Sequence, residues 1–313
     1  MKSSLVLPLI VLISAVSLTT NCRSATGSKP DAATAASNTS AAPAAGTSVN
    51  YKGVHFTLDP TLAAQVKSET VPASVEGKPS DIWPEHPGFT LVGYPRPRTM
   101  AETDPEIRVF SVAKYREAMT IAGKEYAKSL APGEKAGDWA KDFDDEIGLL
   151  KKLLTEKPIG PDVDNFLGKA RGKTPCEAMP WLPMWDACQA FVSHVKYINF
   201  KNGKGVFFLT QWDTETSQVS NAGLEYAFQG ISDDGQHYVY GEFSVAAPVL
   251  PKGDEPEVKA WDQKNYLLDH NSSQYQQYIK PVVTKLDSLP ADKFQPNLEL
   301  LEKLMASLEL QPE

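Results

Sequence analysis

The chain has 313 residues, of which 42% are hydrophobic and 22% charged, an ordinary composition for a protein that builds a packed core. Its formal net charge of −8 and its lack of a dense Lys/Arg cluster exclude nucleic acid as an expected partner, because nucleic acids are bound through basic surfaces. The sequence contains no Walker, dinucleotide-binding, nucleophile-elbow or H-E-x-x-H motif, so it predicts no catalytic residue, no metal site and no cofactor.

The N-terminal segment predicts export. Met1-Lys2 precedes an apolar run from Leu5 to Val16, which is too short to span a membrane and suits the core of a signal peptide. This run leads to Cys22, and the arrangement resembles the lipobox of bacterial lipoproteins, in which the cysteine is acylated and becomes the first residue. Leu18 lies four residues before the cysteine rather than three, and Asn21 replaces the usual small residue, so ordinary secretory cleavage is the alternative.

We therefore predict a signal peptide over residues 1–21, followed over 22–50 by the lipid-anchor cysteine and a disordered tether. The tether is rich in Ala, Ser and Thr and cannot bury enough apolar surface to fold. Several acyl chains would hold the protein stably at a membrane. The predicted location is the bacterial cell envelope, on its periplasmic or extracellular face, and residues 51–313 are predicted to form a single globular domain.

The first half of this domain is predicted to mix short strands with long helices. Its segments, in chain order, are a strand at Lys52–Leu58, a short helix at Thr61–Val66, an irregular Pro-rich stretch at Val71–Pro87, strands at Phe89–Tyr94 and Glu106–Val112, and a helix at Lys114–Leu130. Asp138 is predicted to cap a second helix, whose apolar residues recur at three- and four-residue steps. Pro158–Pro161 is expected to end it and to leave Asp162 and Asp164 in a loop.

Residues 190–247 carry the clearest β signal, in the form of four strands in series. Apolar and polar residues alternate with a period near two, and Asn202-Gly203 and Asp233–Gly235 provide turns between the runs. Asn-Gly is typical of a type I′ hairpin, whose two central residues need positive φ. On the last strand, Tyr238 and Tyr240 are expected to face away from the core.

Two further helices are predicted near the C-terminus. One carries an apolar stripe from Tyr275 to Leu286 that Pro281 should kink or split, and the other, ending near Leu308, has Pro296 at its first position. The elements together predict an α+β fold, with an antiparallel sheet of about seven strands in a hairpin meander packed by α-helices.

The remaining cysteines predict a disulfide. If Cys22 is lipidated, Cys176 and Cys188 are left as a pair, which an oxidising compartment would join. The short closed loop would stabilise the fold by about 3 kcal/mol in the chain-entropy model. Two free thiols or a redox pair are the alternatives.

The segment between these cysteines is predicted to be an apolar loop, because its two prolines disfavour a regular helix or central strand. Its large side chains are Trp181, Leu182, Met184 and Trp185. In one interpretation these residues fold back over one end of the sheet. In the other they form a binding surface for a protein partner or a membrane interface.

The other polar candidates have structural explanations. His194 and His237 both fall in predicted strands and are expected to be half-exposed rather than a site. The acidic run Asp142–Glu146 lacks the alternating ligands and central glycine of a calcium loop. It lies near the start of a predicted helix, where carboxylates favour the helix dipole.

Three stretches, Tyr51–Pro60, Val195–Gln211 and Tyr226–Val239, resemble a group of uncharacterised bacterial envelope lipoproteins, and the similarity extends over most of residues 51–310. These stretches contain hairpins and no known catalytic residue, so the resemblance implies an envelope location and a fold rather than an activity. A more distant similarity is to the PsbP/Mog1-like arrangement, in which an antiparallel sheet lies between helices.

The sequence therefore favours a non-catalytic binding or scaffolding role in the cell envelope. The expected partners are the membrane, through the N-terminal lipid, and an envelope protein. A secreted hydrolase-type enzyme and an envelope assembly or chaperone factor are the alternatives. A polar pocket with converging His, Asp or Glu side chains would favour the enzyme, whereas an exposed apolar surface would favour binding.

Overall fold

A computed structural model describes residues 46–95, 104–131, 133–171, 179–184 and 187–311. The strands are β1 (Thr47–Tyr51), β2 (Val54–Leu58), β3 (Gln65–Val71), β4 (His86–Val92), β5 (Glu106–Ser111), β6 (Cys188–Gln189), β7 (Ser193–Phe200), β8 (Gly203–Thr210), β9 (Trp212–Asp213), β10 (Glu225–Ser232), β11 (His237–Ser244) and β12 (Glu309–Leu310). The helices are α1 (Val112–Ser129), α2 (Trp139–Glu156), α3 (Pro161–Arg171), α4 (Pro256–Asn265), α5 (Ser273–Asp287) and α6 (Leu298–Ala306). Two short 3-10 helices lie at Pro79–Asp81 and Ala291–Lys293.

The main sheet has seven strands in the order β3-β4-β5-β11-β10-β8-β7. All neighbouring pairs are antiparallel, and the chain forms one meander from β3 to β5 and another from β7 to β11. The pairing of β5 with β11, which places Val109 opposite Val239, joins the two meanders. This arrangement confirms the predicted α+β fold, with an antiparallel sheet packed by helices.

Both faces of the main sheet are buried. Helices α1, α2 and α3 cover one face, on which the sheet presents Val206, Phe208, Ala227, Tyr238 and Tyr240. Helices α5 and α6 and the small sheet β1-β2-β12 cover the other face, on which the sheet presents Phe207, Leu209, Tyr226, Phe228 and Phe243. The predicted alternation is correct, but the expectation that Tyr238 and Tyr240 lie outside a core is wrong, because the helical layer buries them.

The hairpin between β7 and β8 forms where the sequence predicts it, but with a different turn. Phe200 pairs with Gly203, so the two turn residues are Lys201 and Asn202, and neither has a positive φ. The Asn202 side chain instead pairs with the backbone of Leu310. Leu310 N donates to Asn202 Oδ1 at 3.0 Å, and Asn202 Nδ2 donates to Leu310 O, which fixes β12 against the hairpin.

The domain opens with a hairpin that the sequence analysis does not predict. Strands β1 and β2 pair antiparallel through Lys52 and Gly53, whose φ values of 46° and 75° are the positive values that a type I′ turn needs. Strand β1 begins at Thr47, so the predicted end of the tether at residue 50 is placed too late. The predicted signal peptide and Cys22 lie outside the described residues.

Two short segments differ from their predicted structures. The helix predicted at Thr61–Val66 is instead a turn followed by β3, because Asp59 Oδ1 accepts hydrogen bonds from both Thr61 N, at 2.8 Å, and Thr61 Oγ1, at 2.6 Å. The loop predicted around Asp162 and Asp164 is wrong, because these residues form the first turn of α3. Pro161 begins that helix, at the position where a missing N–H group costs least.

The C-terminal helices also refine the predictions. Helix α5 runs through Pro281 as one helix, so the predicted split does not occur. Helix α6 starts at Leu298 rather than at Pro296, because Asn297 caps it by accepting a hydrogen bond from Glu299 N at 2.9 Å. Across the described ranges, no helix has the length and apolar character needed to cross a membrane.

Candidate functional site

The structure describes part of the predicted apolar loop. Trp181 and Leu182 are 5% and 2% exposed, and both belong to the core between the sheet and helices α1 to α3. Met184 is half-buried at the edge of the same core. Trp185 lies outside the described residues. Two of the four residues proposed as a binding surface are therefore core residues.

Cys188 lies at the start of β6, opposite Asp213 of β9. Its predicted partner, Cys176, lies outside the described residues, so the Cys176–Cys188 disulfide stays a prediction.

Aromatic packing holds Trp181 against the sheet. Its ring centroid lies 4.5 Å from that of Trp212, 5.4 Å from that of Tyr240 and 6.0 Å from that of Phe208. The next residue, Leu182, accepts a hydrogen bond from Tyr238 Oη at 2.7 Å through its carbonyl oxygen. These contacts match the interpretation in which the loop folds back over one end of the sheet.

The same loop forms one wall of an open cleft of about 650 Å³. Much of the lining is apolar or aromatic, and the large side chains that provide it are Tyr126 of α1, Trp139 of α2, Met179, Trp181 and Met184 of the loop, and Trp212 of β9. Tyr126 is 44% exposed, and Met184 and Trp212 are half-buried, so the cleft offers apolar surface to solvent. The burial of Trp181 and the presence of a binding surface are therefore compatible, because Trp181 packs in the core and also lines the cleft.

A part-buried ion pair lies in the lining of the cleft. Arg171, at the end of α3, donates from Nη1 to Glu146 Oε1 at 2.7 Å and from Nη2 to Glu146 Oε2 at 2.6 Å. Both side chains are 13% exposed. Trp181 N also donates to Glu146 Oε2, at 3.0 Å. Because bidentate charge-assisted bonds are strong and directional, Glu146 joins α2, α3 and the loop at one point.

A second contact holds the start of the loop. Met179 N donates to Gln189 Oε1 at 2.8 Å, and Gln189 Nε2 donates to Met179 O at 3.4 Å. The Gln189 side chain thus pairs with the Met179 backbone much as a neighbouring strand would, and Gln189 is 3% exposed. The loop is therefore held by specific polar contacts on both sides of Trp181.

The rim of the cleft is acidic along α2. Asp142 and Asp145 both line it, and Lys141 pairs with Asp145. The Asp142 carboxylate, unlike the Asp142 backbone N–H, makes no hydrogen bond or ion pair with the described residues. Partial desolvation raises the pKa of the Asp142 carboxyl. The positive charge of Lys141 lowers this pKa, and the neighbouring carboxylates raise it. Of the three acidic residues in the described lining, Asp142 is the one without an ion-pair partner, since Asp145 pairs with Lys141 and Glu146 with Arg171.

None of the described residues that line the cleft is a histidine. Glu146, which lines it, accepts hydrogen bonds from Arg171 and from Trp181 N. In the part of the chain that the structure describes, no group of three or more His, Cys, Asp or Glu side chains could hold a metal ion.

The two strand histidines are not brought together. The His194 ring, on the edge strand β7, packs near the rings of Tyr226 and Phe294, with centroids 6.3 and 5.4 Å away. His237 begins β11, where its backbone N donates to Ser232 Oγ at 2.9 Å. Neither histidine lines the cleft.

Sequence reasoning missed a buried polar cluster on the opposite side of β9. Asp213 Oδ1 accepts from Gln211 Nε2 at 3.0 Å and from Ser217 Oγ at 2.6 Å, while Asp213 Oδ2 lies 4.0 Å from His270 Nε2. The Asp213 and His270 side chains are only 5% and 10% exposed, so the cluster is closed to a substrate. Its residues come from separate segments with no recognisable spacing, and no sequence signal would have found them.

Comparison of the chain with protein-family models, with curated proteins and with solved structures found no match in any of the three.

Proposed function

We propose that the protein is a lipid-anchored protein of the cell envelope whose domain binds a ligand, without catalysis, in the cleft beside Trp181. The observation that carries this proposal is the cleft itself, which has a volume of about 650 Å³ and combines aromatic and thioether side chains with a similar number of polar and charged ones. Ligand sites in proteins are typically concave and of this size, with apolar walls for affinity and polar groups that orient the ligand.

The hydrogen bonds that hold the loop around Trp181 support a binding role. Hydrogen bonds hold the loop at three successive points, at Met179 by Gln189, at Trp181 N by Glu146, and at Leu182 O by Tyr238. A site whose walls are already ordered loses less conformational freedom when a ligand binds. The cleft is thus supported as a preformed site.

The side chains of the cleft do not favour the enzyme alternative. Hydrolysis needs an acid and a base, or a nucleophile and its activating group, within reach of one bond. The described lining offers Asp142 as an uncompensated carboxyl, while Asp145 is paired with Lys141 and Glu146 with Arg171. This set suits recognition of a ligand better than turnover.

The envelope location rests on the sequence, and replacement of Cys22 tests it. We expect Cys22→Ser to move the protein from the membrane fraction to the soluble fraction, because the acyl chains would be lost. A Cys22→Ser protein that stays in the membrane fraction at the mass of the wild-type protein would contradict lipid anchoring.

A thermal-shift screen of the full-length protein tests the binding role. The panel contains amino acids, dipeptides, mono- and disaccharides and small alkylammonium ions. We expect at least one compound to raise the melting temperature of the wild-type protein, because a ligand that binds only the folded state stabilises it. Met184→Trp should abolish the shift by filling the cleft. Ile159→Trp is the matched control, since Ile159 is 67% exposed and does not line the cleft. The proposal fails if no compound stabilises the protein or if Met184→Trp retains the shift.

A further inference from the structure

The cleft combines aromatic rings from four separate segments. Tyr126 and Trp139 form one stacked pair, with centroids 5.1 Å apart and an interplanar angle of 29°. Trp181 and Trp212 form a second pair, with centroids 4.5 Å apart. Both pairs line the cleft, and within them Tyr126, which is 44% exposed, and the half-buried Trp212 offer ring surface to a ligand. Such surfaces attract alkyl groups, and they attract cations through the negative electrostatic potential of the ring faces.

The charges of the cleft favour a cation. Among the described lining residues, Arg171 is paired with Glu146, and Asp145 is paired with Lys141. Lys78, the other cation of the described lining, is not free either, because it also has a partner in the protein. Asp142 is left as a carboxylate without a hydrogen bond or ion pair to the described part of the chain. The raised pKa of Asp142 agrees with this picture, because partial desolvation and the neighbouring carboxylates together disfavour its charged form more than Lys141 favours it. A bound cation would lower the free energy of the charged Asp142 carboxylate, whereas a bound anion would raise it.

The Asp142 carboxylate lies beside an aromatic ring. A methyl carbon placed on Gly137 would lie 3.8 Å from Asp142 Oδ2 and 3.7 Å from Trp139 Cδ1. Gly137 carries no side chain, so it leaves space where the carboxylate and the indole meet. A small organic cation at that point contacts both the negative charge and the aromatic surface.

We propose that the ligand of the cleft is a small alkylammonium ion, whose charge is met by Asp142 and whose alkyl groups pack on the aromatic rings. This inference rests on the binding role proposed above and names the chemical class of the ligand. Neutral sugars also stack on aromatic rings, but they gain nothing from an uncompensated carboxylate. The charge of the ligand is therefore the property that separates these classes.

Isothermal titration calorimetry on the full-length protein at pH 7.5 tests the inference. Choline is the probe, and 3,3-dimethylbutan-1-ol is the matched control, because a carbon replaces the charged nitrogen while the shape is kept. We expect choline to bind about tenfold more tightly than the neutral compound, a difference in the range of one or two cation–aromatic and ionic contacts.

Two variants separate the role of Asp142 from general charge effects. Asp142→Asn should weaken choline binding about fivefold or more and leave binding of the neutral compound unchanged. Asp144→Asn removes the same charge from the same helix, where Asp144 pairs with Arg116 and does not line the cleft, so it should leave both affinities unchanged. Choline affinity should also fall as the pH is lowered, because the cation binds the deprotonated carboxylate.

The inference is overturned if choline does not bind, if the neutral compound binds equally well, or if Asp142→Asn keeps the wild-type affinity for choline. Those results leave the binding role itself to be decided by the thermal-shift screen. A neutral compound whose shift is lost in Met184→Trp would uphold the binding role while excluding the alkylammonium class.

Discussion

Acidification should destabilise the protein through His86. This residue begins β4, and its side chain is 2% exposed. Its Nδ1 donates to Pro84 O at 2.8 Å, and its ring centroid lies 4.3 Å from that of Phe110. Burial lowers the pKa of His86 from 6.5 to about 4, because the charged imidazolium would lose its hydration.

The direction and size of the effect follow from these two values. In the unfolded chain the imidazole takes up a proton as the pH falls through its ordinary pKa, whereas in the folded protein it stays neutral until the lower value is reached. Between the two values the unfolded state binds more protons, so acid favours unfolding. Lowering the pH from about 8 to about 5 should therefore reduce the free energy of unfolding by about 2 kcal/mol, and the full effect below the folded pKa approaches about 3 kcal/mol.

Urea unfolding at both pH values measures this loss, and His86→Asn is the control. The asparagine amide N–H can replace the donor to Pro84 O, but it does not titrate. The variant is expected to be less stable at both pH values, so only the difference between the two pH values is compared. The wild-type protein should lose about 2 kcal/mol more than the variant on acidification. Equal losses in the two proteins would refute the assignment of a buried neutral imidazole.

Three further predictions test the packing of the domain. Trp181→Ala should lower the free energy of unfolding by about 3–5 kcal/mol in urea, as expected for a large buried aromatic residue, and a wild-type value would show that the indole is not a core group. Asn202→Ala should lower it by about 1–3 kcal/mol, because the backbone groups of Leu310 lose their partners, and an unchanged midpoint would contradict that pairing. Mass spectrometry of non-reduced peptides should show Cys176 joined to Cys188, whereas alkylation of both thiols without a reductant would exclude the bridge.

The strands of residues 190–247 were predictable because their alternation is a local property. Tyr226 and Phe228 point to one face and Ala227 to the other, as a period of two requires. The second buried face was not predictable in the same way. Tyr238 is compatible with solvent or with a core, and in the folded protein the helical layer covers its ring while its hydroxyl donates to Leu182 O.

Helix α3 was not predicted, because its stability depends on packing rather than on its own sequence. Proline ends one helix and begins another with equal ease, so Pro158–Pro161 gave no local reason to expect a helix directly after it. The burial of Val163, Phe166 and Leu167 against α2 and the sheet stabilises α3. That stabilisation comes from tertiary packing, which a single segment of sequence does not reveal.

The candidate site was predictable only in part. The unusual composition of the loop identified Trp181 and Met184, and both line the cleft. The rest of the lining was not identified, because Tyr126, Trp139 and Trp212 come from segments that meet only in the folded protein. Asp142 has an ordinary place in the first turns of a helix, and its position at the rim of a cleft follows from the packing around it.

Radical footprinting of the protein in native membranes tests the central claim, that the cleft is a ligand site, without knowledge of the ligand. Tyr126 and Met184 report on the cleft, and Tyr266, which is 47% exposed and does not line it, serves as the reference. We expect Tyr126 and Met184 to be labelled less in native membranes than in the purified, extensively dialysed protein, with equal labelling of Tyr266 in both. If Tyr126 and Met184 are each labelled to the same extent in native membranes as in the dialysed protein, no ligand occupies the cleft in the membrane, and the claim is contradicted.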